Sequence, residues 1–189
     1  MIQFSDQEIA NERLILDSAT ELYYLGHNLT LRNCTLVIKV PARALVIART
    51  QLIDCALEVK RVLTNFRWQS AHLKGCRFTG RLSGNDFGGC PDRPDEGSIE
   101  NCDFSQAHLD ASRFLQCNID TIHLPRWPYF SIFNPALRWQ ELLALPWPGR
   151  IGRVIIAGFA EDPPTTAAET YSALGLAKRY GTTPEAIKA

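Results

Sequence analysis

The chain has 189 residues, 46% of them hydrophobic and 21% charged, and its 20 basic and 20 acidic side chains balance to zero. That composition supplies ample apolar surface for a buried core and excludes wholesale disorder. No apolar run approaches the ~20 residues needed to span a bilayer, and Met1-Ile2-Gln3-Phe4-Ser5-Asp6 has no basic stretch ahead of an apolar one, so no secretory signal is expected and the cytoplasm is the expected location.

Residues 1–28 read as an N-terminal cap. Ser5 to Arg13 has Ser5 as a helix N-cap and Glu8 three positions on, which predicts a short capping helix. From residue 29 to 125 a repeat takes over. Cys34, Cys55 and Cys76 are spaced by 21 and 21, and Cys102 follows after 26. Their surroundings repeat as Leu31-Arg32-Asn33-Cys34-Thr35-Leu36, Leu52-Ile53-Asp54-Cys55-Ala56-Leu57, Leu73-Lys74-Gly75-Cys76-Arg77-Phe78 and Ile99-Glu100-Asn101-Cys102-Asp103-Phe104, with a weaker copy at Ile119-Asp120-Thr121-Ile122-His123-Leu124. Two columns are large and apolar, one is small or medium and apolar, and the column Asn33, Asp54, Gly75, Asn101, Thr121 holds turn residues. The columns through Arg32 and Thr35 vary freely, as solvent-facing positions do. A fixed period with these columns predicts a stacked solenoid. The longer fourth spacing falls at Gly88 to Pro94 and predicts a loop bulging from one coil. Residues 37–51, with Pro41 and Ala44-Leu45-Val46-Ile47, break the finer pattern and predict irregular early coils.

A shorter period of five runs inside each coil: Ala71-x-Leu73, Cys76-x-Phe78, Cys102-x-Phe104, Ala107-x-Leu109, Ser112-x-Phe114 and Cys117-x-Ile119. Four fives plus one residue give 21, a square coil with large residues at its centre and small ones near the corners. This Ala/Cys/Ser-x-Leu/Phe-x-x pattern resembles the bacterial pentapeptide-repeat family. The resemblance implies an all-β solenoid, a right-handed quadrilateral β-helix of about five coils of 20–21 residues. At ~4.8 Å per coil that is a rod of roughly 24 Å.

Residues 126–189 leave the repeat and read as an α-rich C-terminal cap or extension. Asn134-Pro135 predicts a helix to Leu145, Val154-Ile155-Ile156-Ala157 a strand, Thr165 or Thr166 a helix to about Arg179, and Thr183-Pro184-Glu185 a last short one. The aromatic run Trp127-Pro128-Tyr129-Phe130-Ser131-Ile132-Phe133 reads first as a cover for the open end of the solenoid. Trp127, Tyr129 and Phe130 are the alternative, an exposed partner site or a homodimer contact of the C-terminal region.

Catalytic signals are weak. No Cys-x-x-Cys pair suggests zinc, and the cysteines alternate with Ala, Ser and Ile in their column, which predicts reduced core thiols, with Cys90 the most exposed. His27, His72, His108 and His123 share no column, no phosphate-binding glycine loop or nucleophile elbow appears, and the carboxylates are scattered. No catalytic residue, cofactor or metal is expected. Leu176 to Ile187 looks like the opening of a helix-turn-helix but stops before a recognition helix, so nucleic acid is not the expected partner.

Charge is segregated along the chain. Residues 31–90 carry ten basic and three acidic side chains, and residues 91–125 two basic and seven acidic. This predicts a basic belt at Arg67, Lys74, Arg77 and Arg81 beside an acidic belt at Asp95, Glu96, Glu100 and Asp103, both able to steer a charged protein partner. Within the resembled family, one branch mimics DNA and protects type II topoisomerases, a role that calls for an acidic rod and fits poorly with basic central coils. Another neutralises bacterial toxins by direct contact. The expectation is therefore a non-catalytic protein-binding module, first of all a toxin-neutralising immunity protein, with topoisomerase protection or passive scaffolding as alternatives.

Overall fold

Leu31, Leu52, Leu73 and Ile99, one column of the repeat, lie side by side in a parallel sheet. Its strands are Gln7–Ala10, Leu29–Arg32, Thr50–Ile53, Ala71–Lys74 and Ser98–Glu100. A second parallel sheet takes up the chain after each corner, with strands Arg13–Leu16, Thr35–Ile38, Ala56–Thr64, Arg77–Ser83 and Asp103–Asp110. A third joins Ile2–Phe4, Tyr23–Leu25 and Leu45–Ile47. The computed structural model describes residues 1–90, 92–93 and 95–188, and the repeat in it is a β-solenoid of about five turns.

The turn column makes the corner between the first two sheets. Asn33, Asp54, Gly75 and Asn101 all adopt left-handed backbone, with φ of 52°, 53°, 65° and 52°. Only glycine, Asn and Asp visit that region at small cost. Asn33 also donates its amide to the Asn11 side chain one coil away at 2.6 Å. A second glycine is required at a bulge: Gly80 has φ of 95°, and a Cβ there would meet the Val59 carbonyl oxygen at 1.9 Å.

The expected capping helix at Ser5–Arg13 is not formed. Asp6 and Asn11 are left-handed corners, and Ile9 pairs with Leu31 in the apolar column. The solenoid therefore starts at Ile2, and residues 1–28 belong to its first turns. The Ser5/Glu8 spacing is a local signal only. A helix there would have taken Ile9 and Leu14 off the end of the core, where both now pack. The weak fifth copy is a remnant: Ile119–Thr121 is a turn of 3-10 helix, and pairing survives as the Asp103↔His123 bridge, which sets the buried Ile122 beyond Cys102.

Inside, aliphatic side chains fill the early coils and aromatic ones the later coils. Leu73, Phe78, Phe104 and Leu109 are all buried, as the columns require. Phe78 stacks on Phe104 with ring centroids 4.5 Å apart, and Phe87 stacks between Trp68 and Phe114 at 6.0 and 5.2 Å. The Trp68 indole N–H donates to the Asn85 side chain at 3.1 Å, and Asn85 donates to the Leu63 carbonyl at 2.8 Å, so the polar edges in this core are satisfied. Cys34, Cys55, Cys76 and Cys102 form the expected buried column, and all six cysteines are free thiols. Each thiol of that column donates to a carbonyl one coil earlier, at Ile9, Leu31, Leu52 and Leu73.

The C-terminal region mixes strands with short helices. Thr166–Ser172 runs antiparallel to Ser112–Leu115 of the last coil and to Tyr129–Phe133, closing the edge of a fourth sheet that starts at Asp86–Gly88. The expected helix from Thr165 is thus a strand first and becomes helix α2 (below) only after Ser172. The unpaired edge at Ser112–Leu115 needs a partner strand, and the Thr and Tyr in this segment suit one. Helix α1 spans Pro135–Leu143, α2 Ala173–Tyr180 and α3 Pro184–Lys188. The expected strand at Val154–Ala157 is instead helical, Gly152–Ile156 followed by Ala157–Glu161. These elements share a small core of Ile132, Leu142, Ile151, Ile156, Phe159, Tyr171 and Leu176.

Candidate interaction surface

Outward side chains in a parallel stack meet the residue one coil away. Lys74 lies opposite Glu100 and Arg77 opposite Asp103, at 2.6 and 3.5 Å. Glu96 takes Arg93 at 2.8 Å and Arg49 at 3.3 Å. Half of each belt is therefore spent on the other, Lys74 on Glu100 and Arg77 on Asp103, and Glu96 is taken by arginines outside the belt. Asp95 stands exposed in the bulging loop, whose Pro91 and Pro94 lie outside the described residues. In earlier coils Arg32 takes Glu8 and Lys39 takes Asp17 one coil away, and Arg13 reaches Glu58 two coils away.

Arg67 and Arg81 of the expected basic belt have no carboxylate within 4.0 Å among the described residues, and neither do Arg43 and Arg61. All four are exposed. Arg61 and Arg81 lie in the later halves of the second-sheet strands Ala56–Thr64 and Arg77–Ser83, and Arg43 and Arg67 on the segments that follow strands of that sheet. Arg81 faces the Lys60–Val62 bulge, across which the register slips between Gly80 and Leu82.

A row of recesses follows this side. The first, about 420 Å3, is walled by Asp17 to Leu22, Lys39, Arg43 and Arg61. The next, about 380 Å3, shares Arg43 and adds Val46, Phe66 and Arg67. A third, about 340 Å3, shares Asn65 and Arg67 and reaches Asp86, Arg113, Asp162 and Glu169. A fourth, about 220 Å3, shares Asp162 and Glu169 and ends at Tyr171 and Phe159. Neighbouring recesses share walls, so they line up from the first coil to the C-terminal region.

The row ends in a polar clasp. Arg113, on the last coil, donates two hydrogen bonds to Asp86 at 2.8 and 3.1 Å and one to Asp162 of the C-terminal region at 2.9 Å. Glu169 is directly opposite Arg113 across the antiparallel pair, is buried, and accepts from the Tyr171 hydroxyl at 2.6 Å. Burial pushes the Glu169 carboxyl up to about 7 against the lowering pull of the Tyr171 hydroxyl, with Asp162 adding to the rise and Arg113 opposing it. No group of three or more His, Cys, Asp or Glu side chains arranged for a metal ion occurs among the described residues.

The aromatic run divides. Trp127 is exposed, with the Lys188 ammonium 5.5 Å from its ring centroid. Tyr129 is half-buried beside His108, and Phe130 packs toward Tyr171 in the C-terminal core. Among the described residues, seven of the ten exposed large apolar side chains fall in this region: Trp127, Phe133, Leu137, Leu143, Leu145, Val154 and Leu174. Arg43, Arg61, Arg113, Asp162 and Glu169 were not expected from the sequence.

These features define a β-solenoid with one charged, recessed side and an apolar C-terminal end. No protein-family model matches the chain, and no curated protein matches it. Among the described residues no helix is long and apolar enough to cross a membrane.

Proposed function

We propose that the chain is a non-catalytic protein-binding module acting in the cytoplasm, and that its partner is a toxin it neutralises by direct contact. The observation that carries the reading is the row of recesses bearing arginines without carboxylate partners on a rigid stack of coils. A rigid scaffold loses little ordering entropy on binding, and uncompensated cations steer and orient an encounter. The pentapeptide-like pattern supports the specific form, since immunity proteins occur in the resembled family. It also supports square coils of 20–21 residues wound right-handed, the hand that parallel crossovers take almost without exception. Six free thiols suit a reducing compartment.

The test is protection of cells from the product of the neighbouring gene. Protection lost on Arg43→Glu/Arg61→Glu/Arg67→Glu, with the fold intact by circular dichroism, is the expected result. Binding to a type II topoisomerase would leave a binding module but remove the toxin. A second reading rests on the exposed Leu137, Leu143, Leu145 and Leu174: the C-terminal region forms a homodimer. Light scattering gives a dimer mass on that reading and a monomer mass if it is wrong.

A further inference from the structure

We propose that the row of recesses binds an extended acidic peptide segment of the partner protein, an inference that rests on the protein-binding reading above. The carboxylates along the row are already engaged. Asp17 takes Lys39, Glu21 takes the chain's amino terminus, Asp86 and Asp162 share Arg113, and Glu169 takes Tyr171. Arg43, Arg61 and Arg67 line the same recesses with no carboxylate within 4.0 Å among the described residues. Free positive charge is therefore left over on this side.

Geometry favours an extended chain. The row crosses from the first coil to the last, roughly 19 Å at ~4.8 Å per step, which about six residues of extended peptide span at ~3.3 Å each. Arginines about one coil apart lie within the ~8 Å Debye length of physiological salt, so their fields add along the row. Between the charges, Val46 is exposed, and Leu22, Ala42 and Ala44 line the walls, giving apolar contacts for the small side chains of such a segment.

Single-stranded nucleic acid is recognised by stacking on exposed aromatic rings, and the one ring in the arginine-lined recesses, Phe66, is buried. Charge admits either polyanion, and the lack of an exposed ring in the arginine-lined recesses selects a peptide over a polynucleotide.

The experiment uses the full chain and fluorescence anisotropy. The probes are a labelled alternating Ser-Glu peptide about twelve residues long, its Ser-Lys counterpart and an oligothymidylate of similar length. The Ser-Glu peptide alone should bind, and Arg43→Glu/Arg61→Glu/Arg67→Glu should weaken it about tenfold or more. Arg150→Glu/Arg153→Glu/Lys178→Glu makes the same change in net charge on the C-terminal region and should leave affinity within about twofold. Thermal melts confirm that both variants fold; if the first does not, Arg43→Gln/Arg61→Gln carries the test in its place. Three results overturn the proposal: no preference for Ser-Glu, equal loss in both variants, or oligothymidylate binding that is equally tight and equally sensitive to the groove variant. If the Ser-Glu peptide fails while the neighbouring gene's toxin is still neutralised, this inference falls and the binding module stands. If both fail, both readings fall.

Discussion

At the scale of single residues the solenoid is held by a few repeated demands. The left-handed corner holds Asn101 and Asp54 at small cost and an alanine at a larger one, as Ala111 does at φ of 48°, so Asn101→Gly should be nearly neutral and Asn101→Ala should cost about 1 kcal/mol in urea denaturation. Equal effects would show that the corner does not need the left-handed region. Phe104 is buried and stacked on Phe78, so Phe104→Ala should lose ~3–5 kcal/mol. The cysteine ladder is shielded. The neighbouring Cys102 thiol and burial push the Cys76 thiol up to about 12, and burial alone pushes Cys117 up to about 11. A thiol reagent should label Cys90 first in the native protein and all six only after unfolding, as intact-mass measurement reads directly. Rapid native labelling of Cys55 or Cys76 would mean that the coils open there.

At the scale of elements, the junction between the last coil and the C-terminal strand is where pH acts. Glu169 holds its proton more tightly when folded, its carboxyl pushed up to about 7 from an ordinary 4.5. Protons are then bound preferentially by the folded state between those values. The contribution is fully present below pH 4.5 and is lost as pH rises toward about 7. The groups facing it are Arg113 from Ser112–Leu115, Asp162 from the segment after Ala157–Glu161, and Tyr171 on its own strand, with Asp86 tied to the same arginine. Thermal melts should fall from pH 5 to pH 8 by more in the native protein than in Glu169→Gln, which cannot ionise there. Parallel pH profiles for the two proteins would remove Glu169 from this role.

At the scale of the whole molecule, charge segregated in sequence becomes charge paired in space. Lys74 and Glu100 are well exposed, so their pair adds little to stability, but it cancels the field that these two charges would otherwise project. Lys74→Glu should therefore destabilise only slightly, and Lys74→Glu/Glu100→Lys should recover most of that loss, because the charges meet coil to coil. A double variant no better than the single would place the two side chains apart. This pairing was legible in the repeat alignment: Arg32, Ile53, Lys74 and Glu100 share one column, and Thr35, Ala56, Arg77 and Asp103 another. Reading the belts along the chain instead of down those columns hid it. Arg43 and Arg61 carried no such signal, because Arg43 lies in the irregular stretch after Pro41 and Arg61 lies in a bulge, where no column alignment says what sits one coil away.

The sequence by itself determined the stacking. An apolar column every 21 residues has one way to be buried, and the turn residues between columns fix where the chain bends, so Leu31, Leu52, Leu73 and Ile99 meet whatever the loops do. Tertiary structure alone decided the two ends and the surface. Ser5 to Arg13 has a helix-like local pattern but becomes a strand because the first coil offers Ile9 a place in the column. Thr166–Ser172 becomes a strand because the last coil presents an unpaired edge. Arg81 is free because its neighbour one coil on is His108, and Arg67 is free because Asp86, its neighbour one coil on, is taken by Arg113. Each of these depends on contacts between segments far apart in the chain, which local propensity does not record.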